Sequence, residues 1–231
     1  MRWLFLAACL LAGQALATPD RMTTSDDRLV AATQTHFYVV RDVEDNLGSH
    51  YAALVDQHLV EIGIDSGEAT RFWPLRLMAV NHLETEDYLN PGRVSERDGE
   101  RHDMMAVLSG LGAQPLRPGR WAAEGVVLRD GALYAGDAEA LTEFGIRKAG
   151  RAQLGLLRDY YPPIETEEDY RAAGRIDFFD LFAEGAWDCA VLPEAVSLFR
   201  AGDEVRLVKL RCEDFELSGA WSFHAILPVT D

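Results

Sequence analysis

Between His36 and Val80, apolar side chains recur at alternate positions or fill both sides of a short run, the period of extended chain rather than helix. In His36–Arg41, Phe37 and Val39 fall on one face and Tyr38 and Val40 on the other, which predicts a strand covered on both sides. In His58–Ile64, Val60, Ile62 and Ile64 share a face and Glu61 lies opposite. Asp42–Gly48 and Asp65-Ser66-Gly67-Glu68 read as turns. With Tyr51–Val55 and Thr70–Val80 these segments predict an antiparallel meander.

The pattern then changes. Asn81–Arg101 is polar and carries the turn signal Asn90-Pro91-Gly92. Met104, Met105, Val107, Leu108 and Leu111 have near-helical spacing, which predicts a helix over His102–Leu111 ended by Gly112. After a loop at Pro115–Gly119, Trp121–Arg129 and Ala132–Ala135 flank Asp130-Gly131, a hairpin signal. Asp137 is placed to N-cap a helix over Ala138–Phe144, and Ala152–Tyr160 reads as another, stopped by Pro162-Pro163. Thr166, followed by three acids, starts a helix that ends at Gly174, and Asp177–Ala183 reads as a further apolar turn. Strands return at Trp187–Leu192, Ala195–Phe199, Val205–Cys212 and Ala220–Leu227.

The predicted fold class is therefore α+β, with mostly antiparallel β-sheet at both ends of the chain and a short-helix middle section. Residues 18–34, rich in Thr and Asp, read as a flexible mature N-terminal tail, and 35–231 as a single globular α+β domain. Gly-Arg recurs at irregular intervals with different flanks, so it marks turns rather than a repeat.

The first seventeen residues read as a secretory signal peptide. Arg2 precedes an apolar run from Trp3 to Leu11, and Ala15-Leu16-Ala17 is an Ala-x-Ala cleavage site ahead of Thr18. The competing reading is lipidation at Cys9 after Leu6-Ala7-Ala8, but the apolar stretch before it is too short for a signal core. The expectation is export to the periplasm or the extracellular side, with no transmembrane segment in the mature chain.

Composition adds charge. The chain carries 22 basic and 38 acidic residues, a formal net charge of −16. A surface this acidic repels phosphate backbones and anionic lipids, so nucleic acid is not an expected partner; a small ligand or a protein partner is. The only lysines are Lys148 and Lys209. Cys189 and Cys212 remain after leader removal, and a lone pair in an exported chain reads as a disulfide.

No Gly-x-Ser-x-Gly, His-Glu-x-x-His, phosphate loop or dinucleotide fingerprint occurs. The polar 82–103 segment holds the most chemistry-bearing residues: His82, Glu84, Glu86 and Asp87, then His102 and Asp103. On an extended continuation of the preceding strand, His82 and Glu84 share a face. His102 and Asp103 at the start of the next helix then complete an N/O donor set for a divalent metal ion. A solvated acidic loop gives the same pattern.

His50 and His58 suit acid–base work by residue type alone. Ser222 and His224 share a strand face, but i and i+2 side chains stand about 7 Å apart, beyond a direct nucleophile–base bond. Trp73, Trp121, Trp187 and Trp221 sit in apolar strand patterns, which favours packing over a ligand groove. The function expected is an acidic, exported, non-catalytic binding or interaction protein. The alternative is an exported hydrolase that uses the carboxylates and histidines of 82–103, with or without a metal.

Overall fold

The computed structural model describes residues 23–46, 52–81, 93–119, 123–154, 187–200, 203–214 and 219–228. Among them are twelve strands and two helices: β1 (Thr23–Ala32), β2 (His36–Asp45), β3 (Ala52–Gly63), β4 (Ala69–Asn81), β5 (Arg93–Glu96), α1 (Met104–Gly110), β6 (Gln114–Pro115), β7 (Val126–Arg129), β8 (Ala132–Ala135), β9 (Ala138–Leu141), α2 (Glu143–Leu154), β10 (Trp187–Arg200), β11 (Asp203–Asp214) and β12 (Gly219–Pro228). The chain is mainly β, which corrects the α+β expectation of a helical middle.

The large sheet runs in the order β10-β11-β12-β1-β2-β3-β4-β5, with β6 beside the end of β1. Its pairs are antiparallel except β1 and β12, which lie parallel over Thr24↔Ala220 and Ser25↔Trp221. Among the described residues, the N- and C-terminal strands thus meet at a seam of two residue pairs. Farther along, β1 turns to β6 through Ala31↔Pro115 and Ala32↔Gln114. Thr23–Ala32 lies within the segment read as a tail, yet it is an interior strand. Its polar composition hid it, because three of its polar residues (Thr23, Ser25 and Asp27) are buried.

Both faces of β2 are covered, as its unbroken apolar run predicts. Phe37 and Val39 pack with Val60 and Ile62 of β3 and with Val196, Leu198 and Leu207 of β10 and β11, so the sheet curls toward itself. Tyr38 and Val40 pack with Leu59 and with Leu108 of α1. A third cluster joins Phe223 and Ala225 of β12 to Ile146 and Leu154 of α2 and Leu133 of β8.

The middle of the chain is a second, three-stranded sheet in the order β7-β8-β9. Asp130 (φ 48) and Gly131 (φ 78) both occupy the left-handed region, the geometry of the type I′ turn that an Asp-Gly pair favours. Ala138–Leu141, expected to be helical, is β9. Gly136 at φ 63 closes a tight turn and Ala135 pairs with Ala138, so sheet pairing overrides the helix propensity of Ala-Glu-Ala-Leu. The helix starts later and is capped by Thr142, whose Oγ1 accepts from Gly145 N at 3.0 Å.

The helix over His102–Leu111 is present as α1, with Asp103 as N-cap. β10 is one strand where two were expected. The register shifts between Val191 and Ala195, around Pro193, which has no N–H to give the ladder. The helices expected over Thr166–Gly174 and Asp177–Ala183, and most of Ala152–Tyr160, lie outside the described residues.

Cys189 and Cys212 are disulfide-bonded across the β10–β11 pair, directly opposite each other with Cα atoms 4.1 Å apart. No helix among the described residues is long and apolar enough to cross a membrane. Both observations fit an exported chain.

Candidate functional site

Where β12 parts from β1, polar residues fill the seam on both sides of the sheet. The inner layer is fully buried. Cross-strand register sets Asp27, Arg41 and His58 side by side on β1, β2 and β3. Arg41 Nε and Nη2 donate to the two carboxylate oxygens of Asp27, each at 2.6 Å, and Nη1 donates to the Gln153 carbonyl in the last turn of α2 at 2.7 Å. The Gln153 side-chain amide then replaces a missing strand: its Nε2 donates to His224 O at 2.7 Å and its Oε1 accepts from His224 N at 3.1 Å. The backbone edge that β12 exposes on leaving β1 is thereby satisfied. A cation at the end of α2 also complements its dipole.

Burial shapes the titration of this layer. It raises the Asp27 carboxyl above its ordinary value, with the Arg41 guanidinium opposing. Burial, then the positive charges of Arg41 and Arg97, lower His58 to about 4; burial, then Lys209 and Arg41, lower His224 to about 3. Both rings are neutral at physiological pH. Phe72 stands edge-on to His58, and Phe37 edge-on to His224. None of these groups reaches solvent, so the layer joins α2, β12, β1 and β2 rather than handling a substrate.

The outer layer is an open cleft of about 220 Å³ over the same seam. Its walls follow from register: Glu44 lies opposite Thr24 and Asp42 opposite Asp26, while the small Ala220, opposite Thr24, leaves the floor open. Arg211 closes one side and is ion-paired to Glu213 at 2.9 Å. Asp42 and Glu44 are exposed, and Asp42 accepts one bond from the neutral Gln57 amide at 2.7 Å. Asp26 is the busiest group: Lys209 Nζ lies 3.0 Å from Oδ1, which also accepts from Ser222 Oγ at 2.9 Å. The cleft therefore presents carboxylates on rigid, doubly paired strands. Its chemistry is that of an acceptor for N–H donors and cations.

The residues expected to hold a metal are placed only in part. His82 and Glu84 lie outside the described residues, with Glu86 and Asp87. His102 donates its backbone N–H to Pro74 O at 2.8 Å, and its Nε2 is 3.7 Å from Glu100 Oε1. Asp103 caps α1, its Oδ1 accepting from Ala106 N at 2.8 Å. Among the described residues no group of three or more His, Cys, Asp or Glu side chains is arranged to hold a metal ion.

Ser222 bonds to Asp26 and to Asp27 N rather than to His224. Trp221 is core, and Trp73 packs beside α1. Trp121 and the Trp187 side chain are outside the described residues, as is His50. Met104, the first residue of α1, packs partly buried against the cluster of Tyr38 and Leu59, and Met105 is exposed.

Neither seam layer was anticipated from sequence. One signal was present: Arg41 follows four apolar residues in a strand read as covered on both sides, and a cation there needs a buried partner. The partner, Asp27, was hidden in the segment taken for a tail. No family model matches the chain, and no curated protein or solved structure matches it.

Proposed function

We propose that the chain is an exported binding protein, cleaved between Ala17 and Thr18, that holds a cationic ligand in the cleft over the β1–β12 seam. The ligand class is a small organic amine or guanidine. The observation that carries this reading is the pair of exposed carboxylates, Asp42 and Glu44, on one wall of a preformed cleft in which Arg211 already has an acidic partner. A chain charge of −16 steers cations toward it. The described histidines of the seam, His58 and His224, are buried and neutral, which supports binding over acid–base catalysis there. The hydrolase reading of 82–103 rests in large part on His82 and Glu84, which lie outside the described residues.

Isothermal titration of the mature protein with arginine and with putrescine tests the proposal. Saturable binding that the Asp42→Asn/Glu44→Gln variant loses at least tenfold supports it. Failure of both probes to bind, or binding unchanged in the variant, overturns it.

A further inference from the structure

We propose that Lys209 and Asp26 form an intramolecular amide, with Glu194 as the proton carrier. The cross-link would tie β11 to β1 across β12, at the seam where two residue pairs join β1 and β12 among the described residues.

Three observations converge. First, Lys209 is 3% exposed, and its Nζ lies between two carboxylates from different strands: Asp26 Oδ1 at 3.0 Å and Oδ2 at 3.2 Å, and Glu194 Oε2 at 3.6 Å. Second, Glu194 is brought there by the register shift around Pro193, which sets Leu192, Pro193 and Glu194 opposite Lys209 alone. Third, 20 of the 22 basic residues are arginine, yet this enclosed position is one of the two lysines. A guanidinium would serve an ion pair at least as well; only an amine supplies a nucleophile.

The reaction balances without an oxidant. Glu194 takes a proton from the ammonium, and the Nζ lone pair attacks Asp26 Cγ. The C–N bond forms and the C–O bond to Oδ2 breaks. That oxygen leaves as water with two protons from Nζ, the first returned by Glu194 and the second carried over by Glu194 as the nitrogen becomes the amide N–H. Oδ1 stays as the amide carbonyl, still accepting from Ser222 Oγ. One ammonium and one carboxylate become one neutral amide and one water.

The carboxylates of Asp26 and Glu194 are about half exposed, and their hydration favours the unreacted ion pair. The same opening lets the released water leave. Enclosure of the ammonium works the other way, because condensation removes a charge that is costly to keep out of solvent. The amide removes one ammonium and one carboxylate, so the net charge of the chain is unaltered, and it retains Asp42 and Glu44 on the cleft wall, so it stands or falls independently of ligand binding.

Mass spectrometry of the mature protein, purified from the exported fraction and reduced to open the Cys189–Cys212 bond, decides it. The expected mass is one water below that of the sequence. A protease digest should contain the Asp26 and Lys209 peptides joined. The Lys209→Arg variant should regain full mass and release the two peptides separately. A wild-type protein at full mass, or a one-water deficit that persists in Lys209→Arg, overturns the proposal, and neither result requires the variant to be stable.

Discussion

Replacing Arg41 by methionine should be among the most destabilising single changes in this protein. The change keeps side-chain bulk and removes three hydrogen bonds, two to Asp27 and one to the Gln153 carbonyl. The Asp27 carboxylate then stays in a site with no solvent access. Breaking a buried pair from one side costs about 3–5 kcal/mol. The orphaned carbonyl at the end of α2 adds about 1–3 kcal/mol. Because the two losses share a site, about 4–6 kcal/mol in total is expected, a large fraction of the roughly 5–15 kcal/mol that holds a typical domain folded.

The companion variant Arg41→Met/Asp27→Leu removes both charges and should regain at least about 2 kcal/mol of that loss. Urea unfolding of the parent, both single variants and the double variant closes the cycle. In Arg41→Met the Asp27 carboxyl has lost its cation, so burial holds its pKa high and disfavours the ionised form. The deficit should therefore shrink as pH falls through that raised value. A cost below about 1 kcal/mol for Arg41→Met, or single-variant losses that simply add, would refute the assignment of Arg41 as the link between sheet and helix.

Acid should weaken the fold early. His58 and His224 titrate near 4 and 3 in the folded chain against an ordinary 6.5. Their contribution is complete above 6.5 and is lost as pH falls toward the folded values, by at most about 3 and 5 kcal/mol. Asp27, with its raised value, acts in the opposite sense and moderates the loss. Chemical unfolding at a series of pH values should show the decline, and a His224→Leu variant should flatten it. Gly219→Ala should cost about 1–3 kcal/mol and change the near-ultraviolet dichroism of Trp221, because a Cβ there overlaps the Cζ2 and Cη2 edge of the indole. Removing the Cys189–Cys212 bond should lower stability by about 3 kcal/mol, read as a drop in the urea midpoint.

Much of the sheet was legible because β2 and β3 bury runs of apolar side chains typical of extended chain, and Asp130-Gly131 specified its own turn. The cysteine pair was legible from count and compartment alone. β1 was not, since Asp27 is buried through a bond to Arg41 rather than through apolarity, and a hydrophobicity pattern records only the second kind of burial. β9 was misread because local propensity favours a helix over Ala138–Leu141, while the turn at Gly136 and pairing to β8 decide otherwise. The cleft was invisible for a different reason. Its walls come from residues near both ends of the chain, brought together by a parallel pairing of β1 with β12 that no local signal announces. The 82–103 segment carries its ligand-type residues contiguously, and His82, Glu84, Glu86 and Asp87 lie outside the described residues.

The claim that the seam cleft is the functional surface is tested most directly by amide chemical-shift mapping of the mature protein titrated with arginine. The account predicts saturable shifts concentrated at Thr24–Asp26, Asp42–Glu44 and Arg211, the lining of the cleft. Shifts centred instead on 93–103, or no saturable shift anywhere, would contradict it.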